Sequence, residues 1–122
     1  MSMRSMSQRC PEDEVERIRF MRLIVMYDLP IDGASDRRDY ARFRQFLIRD
    51  GYVRLQNSVY VRMVVDSGNA NAAISRLSAN LPADGLVQVL RVTESTFCSM
   101  LTLSGEPVDE GHLLTREDFI VL

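Results

Sequence analysis

The chain has 122 residues, of which 46% are hydrophobic and 26% charged, and its formal net charge is −2. Those values describe one globular domain of ordinary size, and no apolar run approaches the roughly 20 residues of a membrane span. All 15 basic residues are arginine, which excludes P-loop and Schiff-base lysine chemistry; with His112 the single histidine, a Ser-His-Asp triad, a Cys-His pair or a zinc site is not expected.

Residues 1–19 are rich in methionine, serine and charge without periodicity, and they read as a disordered N-terminal extension. That polar start lacks the hydrophobic segment of a signal peptide, so a cytoplasmic protein is expected. Cys10 and Cys98 are far apart and lack metal-ligand spacing, so free thiols are expected.

The first strand is expected at about residues 20–28. Leu23, Ile24, Val25 and Met26 form an apolar run with the bias of a strand buried on both faces. It ends on Asp28 before a loop with Pro30 and Gly33. A charge is costly inside a sheet, so Asp28 should stand at the strand's exit, where water or a ligand reaches it. The competing reading is a carboxylate that accepts hydrogen bonds in the turn.

A helix follows, with Ser35 as N-cap and Asp36 and Asp39 opposing its dipole, and it stops at Gly51. Tyr40, Phe43, Phe46 and Leu47 make the apolar stripe; Arg38, Arg42, Gln45 and Arg49 recur on another face. Two strands are expected next, Tyr52–Gln56 and Ser58–Val65, joined by a tight turn at Asn57. Ala70, Ala73, Ile74, Leu77 and Leu81 define a second amphipathic helix. Leu86–Thr93 reads as a strand, Met100–Ser104 as a shorter one, and Phe119–Leu122 as a terminal edge strand.

This order of strand, helix, strand, strand, helix, strand is the α+β, ferredoxin-like arrangement, one sheet with two helices on one face. The domain is expected over 20–104, and residues 105–122 form an acidic tail. Charge is uneven along the chain. Residues 35–62 hold seven arginines against Asp36, Asp39 and Asp50, an excess of four positive charges. Residues 105–122 hold five carboxylates against Arg116, an excess of four negative ones. The asymmetry points to an anion-binding body with an acidic tail, or to a solvated helix face and a solubilising tail.

The segments MRLIVMYDLP, RRDYARFRQFLIRDGY, LQNSVYVRM and VLRVTESTF, with a final SGE, together resemble CRISPR-associated protein two. That family is the small subunit of the complex that inserts new spacers into a CRISPR array. The resemblance covers about residues 20–106 and implies a homodimer of ferredoxin-like protomers. It implies a bridge between dimers of the CRISPR integrase subunit that grips double-stranded DNA through basic side chains. It also implies an alternative, an endonuclease that uses Mg²⁺ to cut RNA or DNA, with Asp28 as metal ligand and catalytic carboxylate near the dimer axis. One carboxylate suits Mg²⁺ only as a partly hydrated ion, and a two-fold axis would supply a second.

Arg37, Arg38 and Arg42 are the first candidates for phosphate contact, followed by Arg44 and Arg49. Tyr27 and Ser58 are candidate supports of the site, with core packing and turn closure as their competing roles. Asp32 and Asp36 are candidate helpers, with helix capping as the competing role. Phe119, Ile120 and Val121 are expected to anchor the tail on a sheet edge of the other protomer or of the integrase subunit. A third reading, a metabolite-binding regulatory domain, predicts no affinity for duplex DNA.

Overall fold

In the computed structural model, which describes residues 20–107, the apolar run becomes the second strand from one edge of a four-stranded sheet. The elements are β1 (Met21–Asp28), α1 (Ala34–Arg49), β2 (Val53–Gln56), β3 (Val59–Val64), α2 (Ser67–Ser78), β4 (Leu86–Thr93) and α3 (Glu94–Cys98). The sheet order is β2-β3-β1-β4, and every pairing is antiparallel. The α+β expectation holds, and β4 falls on the residues expected for it.

Alternation along β1 decides which side each residue serves. Leu23, Val25 and Tyr27 face α1 and α2, and they join Phe43, Leu47, Ala70, Ala73 and Leu77 in the main core. Leu23 and Val25 are fully buried, which stabilises by about 1.5–3 kcal/mol each. Ile24 and Met26, on the other side, are only half-buried, so the strand is not buried on both faces as its composition suggests. Both long helices lie on the Leu23 side.

Three local details differ from expectation. The N-cap of α1 is Gly33, whose carbonyl accepts from Arg37 N at 3.1 Å, and Ser35 lies inside the helix. Helix α2, capped at its start by the Asp66 carboxylate accepting from Asn69 N at 2.7 Å, ends at Ser78, so Leu81, expected in its apolar stripe, lies beyond it and is exposed. No strand forms over Met100–Ser104. The Thr93 hydroxyl instead accepts from Thr96 N at 3.1 Å and caps α3. Leu101 and Leu103 are exposed, and a strand without a neighbour to satisfy its backbone has nothing to hold it.

The end of α1 follows its glycine. Gly51, at φ +97°, takes the left-handed position, and Tyr52 N donates to Leu47 O at 2.9 Å. The Asp50 carboxylate there holds Arg76 at 2.8 Å and Arg62 at 3.5 Å, joining α1, β3 and α2. Arg62 is thereby committed to structure. Cys98 is not a free thiol, which corrects the expectation made for it. No helix among the described residues is long and apolar enough to cross a membrane. The expected extension of 1–19, Cys10 and the anchors Phe119, Ile120 and Val121 lie outside the described residues.

Candidate functional site

Asp28 is the last residue of β1 and is exposed, while its neighbours Tyr27 and Leu29 are buried at 7% and 9%. Its strand register pairs it with Leu86 at the start of β4. Alternation turns its carboxylate to the face opposite the helices, the face that Arg22 also serves. Among the described residues no three His, Cys, Asp or Glu side chains are arranged to hold a metal ion. Asp28 thus offers a single carboxylate, which fits Mg²⁺ only in its hydrated mode, where waters and phosphate fill most positions.

Tyr27 points the other way, into the core. Its ring meets Tyr40 and Phe43 edge-on at 5.9 and 5.3 Å and lies near-parallel to Tyr60 at 6.1 Å. Among the described residues its hydroxyl has no partner in hydrogen-bonding geometry. Burial first, then the neighbouring Tyr40 and Tyr60 phenols, push its pKa well above the ordinary tyrosine value. Tyr27 therefore reaches the Asp28 region through its backbone: Tyr27 N donates to Ser58 O at 3.0 Å. Ser58 sits in the β2–β3 turn at φ +63°, in the left-handed region.

The five candidate arginines of α1 do not form one patch. Arg38, Arg42 and Arg49, four and seven residues apart, share the outward face and are exposed. Arg42 has a weak i,i+3 contact with Asp39 at 3.5 Å and its side chain stays 75% exposed. Arg37 and Arg44 lie on a flank. The Arg44 Nε donates to Tyr60 OH at 3.1 Å, tying that side chain toward the core. The span from Arg38 to Arg49 is about 16 Å along the helix axis, or about five nucleotide steps along one strand.

Asp36 and Asp39, with Asp84 from the loop before β4, line a shallow depression floored by Leu29, Pro30 and Tyr40. Its acidic rim is the opposite of what a phosphate needs. Asp36 is also the acidic residue of the first turn of α1, in keeping with dipole compensation. Asp32 is an exposed loop residue.

Two residues near these features were given no place at the site by the sequence alone. Glu94 is fully buried and holds Arg22 in a two-pronged pair, Nε to Oε1 at 2.6 Å and Nη2 to Oε2 at 2.9 Å. The Arg22 guanidinium lies 4.7 Å from the Phe97 ring centroid. Gly85 is the other, packed against the backbone of Asp28 and Leu29. The 72-residue separation of Arg22 and Glu94 gives no local signal; a glycine one residue before an apolar strand does give one.

The family model described as CRISPR associated protein Cas2 matches residues 21–100. A protein named CRISPR-associated endoribonuclease Cas2 from Acidovorax ebreus is 48% identical over 88 residues, covering 72% of this chain and 86% of the relative. A protein of the same name from Treponema denticola is 38% identical over 102 residues, covering 84% of this chain and 100% of that one. A third, from Streptococcus mutans, is 41% identical over 86 residues, covering 70% and 79%. The matched span runs from the first residue of β1 past the end of α3, so the sheet, its helices and Asp28 all fall within it: the chain belongs to the Cas2 family of CRISPR-associated proteins.

Proposed function

We propose that this chain is a ferredoxin-like homodimer that holds duplex DNA for the CRISPR integrase subunit during spacer acquisition. The observation that carries the reading is the row of Arg38, Arg42 and Arg49 along the outer face of α1. Backbone recognition needs several guanidinium groups on one accessible surface and little else. The sheet order β2-β3-β1-β4 supports the ferredoxin-like assignment, and the exposed edge of β4, with Leu86 and Leu90, supports a second copy. Fluorescence anisotropy on labelled duplex DNA tests it, with all three arginines changed to alanine. Weaker binding with a shallower salt dependence is expected; equal affinity and an equal slope would sink the reading.

A second reading is favoured by the exposed Asp28 and by the endoribonuclease names of the relatives. In it the dimer cleaves single-stranded RNA or duplex DNA, with Asp28 and its symmetry mate as the Mg²⁺ ligands. Bound Mg²⁺ would supply a water of lowered pKa and neutralise charge on the phosphate. Asp28 and its mate would hold the ion, and the α1 arginines would orient the strand. Cleavage of both substrates with and without Mg²⁺ decides the matter, wild type against Asp28→Asn. Activity lost with both chelator and substitution supports the nuclease. Activity that survives Asp28→Asn rules it out, and binding without cutting leaves the bridge.

A further inference from the structure

We propose that Gly85 and the backbone of Ser58 are positioning residues that fix where the Asp28 carboxylate leaves the sheet, an inference that rests on the metal reading of Asp28. A strand interior is placed by its ladder on both sides, whereas a strand end is placed by whatever turns flank it. Both turns beside the β1 exit are unusually constrained. On the β4 side, Asp28 pairs with Leu86, and the preceding Gly85 has φ +103°. A Cβ on Gly85 would lie 2.8 Å from Asp28 O, 3.1 Å from Leu29 Cα and 2.6 Å from Leu29 Cδ2. Two of those atoms are backbone, or fixed to it, so any side chain there must displace the strand end itself.

On the β3 side, Ser58 O accepts from Tyr27 N at 3.0 Å. Ser58 is the non-glycine residue with positive φ, at +63°, among the described residues. An L residue in that conformation is disfavoured and persists only where its surroundings hold it. Between these two contacts the chain runs from buried Tyr27 through exposed Asp28 to buried Leu29. Both neighbours of the carboxylate are thus anchored in the core, and both flanking turns fit closely. An ordinary solvent-facing aspartate in a turn needs none of this. A single carboxylate that must meet a hydrated ion in a fixed direction does.

The test uses the full chain and Mn²⁺ as probe, read as paramagnetic broadening of the Asp28 and Leu29 amide signals, with a thermal melt of each variant. Gly85→Ala and Ser58→Val are expected to weaken Mn²⁺ binding about tenfold or more while still melting cooperatively. Ser58→Gly is the conservative variant: it keeps positive φ and the carbonyl, and it should bind Mn²⁺ as the wild type does. Wild-type affinity in Gly85→Ala and Ser58→Val, with binding lost in Asp28→Asn, overturns the inference and leaves the metal reading intact. Wild-type affinity in Asp28→Asn overturns the metal reading and this inference with it. Lost binding in Ser58→Gly overturns the backbone role and makes the hydroxyl the contact. If Gly85→Ala does not fold, Ser58→Val decides alone.

Discussion

The two ends of β1 treat a charge in opposite ways. Arg22 and Asp28 lie on the same strand and, being an even number of residues apart, on the same face. Arg22 is 1% exposed, gripped by Glu94 and stacked on Phe97. Asp28 is exposed and meets no cation among the described residues. A buried pair of this kind compensates its own desolvation cost only while both partners remain. An open carboxylate has no such cost and stays available to a ligand. The difference separates a charge that belongs to the architecture from one that architecture does not need.

The sharpest way to break that contrast is Glu94→Ala, which leaves Arg22 buried and unpaired. It should cost about 3–5 kcal/mol, read by chemical denaturation. The double change Arg22→Met with Glu94→Leu should restore most of it, and failure to do so would mean the pair does more than satisfy its own charges. Next comes Tyr52, where burial above all, with Asp50 adding and Arg62 and Arg76 opposing, pushes the phenol up to about 12. The unfolded chain loses this proton first, near pH 10. The stabilisation is therefore intact below pH 10 and is lost as pH rises toward 12, at about 1.4 kcal/mol per pH unit. Tyr52→Phe should flatten that part of an alkaline denaturation profile.

Changing Arg38, Arg42 and Arg49 to alanine should lower the slope of log affinity against log salt for duplex DNA by about 2.7, with stability nearly unchanged. A slope that does not move would place the phosphate contacts elsewhere. Asp28→Asn should have the smallest effect on stability, within about 0.5 kcal/mol in a thermal or urea melt. A larger loss would make Asp28 a structural residue like Arg22 and dissolve the contrast between the two strand ends.

Much of the frame was legible because periodicity and turn chemistry act locally. The exit of β1 at Asp28, the stop of α1 at Gly51 and the span of β4 all follow from apolar runs and their punctuation. A local pattern misleads where its partner is missing. Met100–Ser104 alternates like a strand, but the described residues offer it no neighbour. Ile24 and Met26 match the composition of a doubly buried strand, but both long helices cover the other face. The arginines of α1 were countable in the sequence, yet only the folded helix separates the open face of Arg38, Arg42 and Arg49 from Arg44, which is drawn to Tyr60.

The sequence by itself determined the order of elements from β1 to β4, most of the apolar stripes, the arginine-only basic surface and an acidic residue at the end of the first strand. These depend on spacing along the chain and on the cost of burying charge. Only the tertiary structure decided that Arg22 and Glu94 meet across 72 residues, and that Gly85 and Ser58 enclose the exit of β1 from two neighbouring strands. It also decided that Tyr27 turns away from Asp28. Contacts between residues distant along the chain arise from how elements close on one another, and no window of local sequence contains that information.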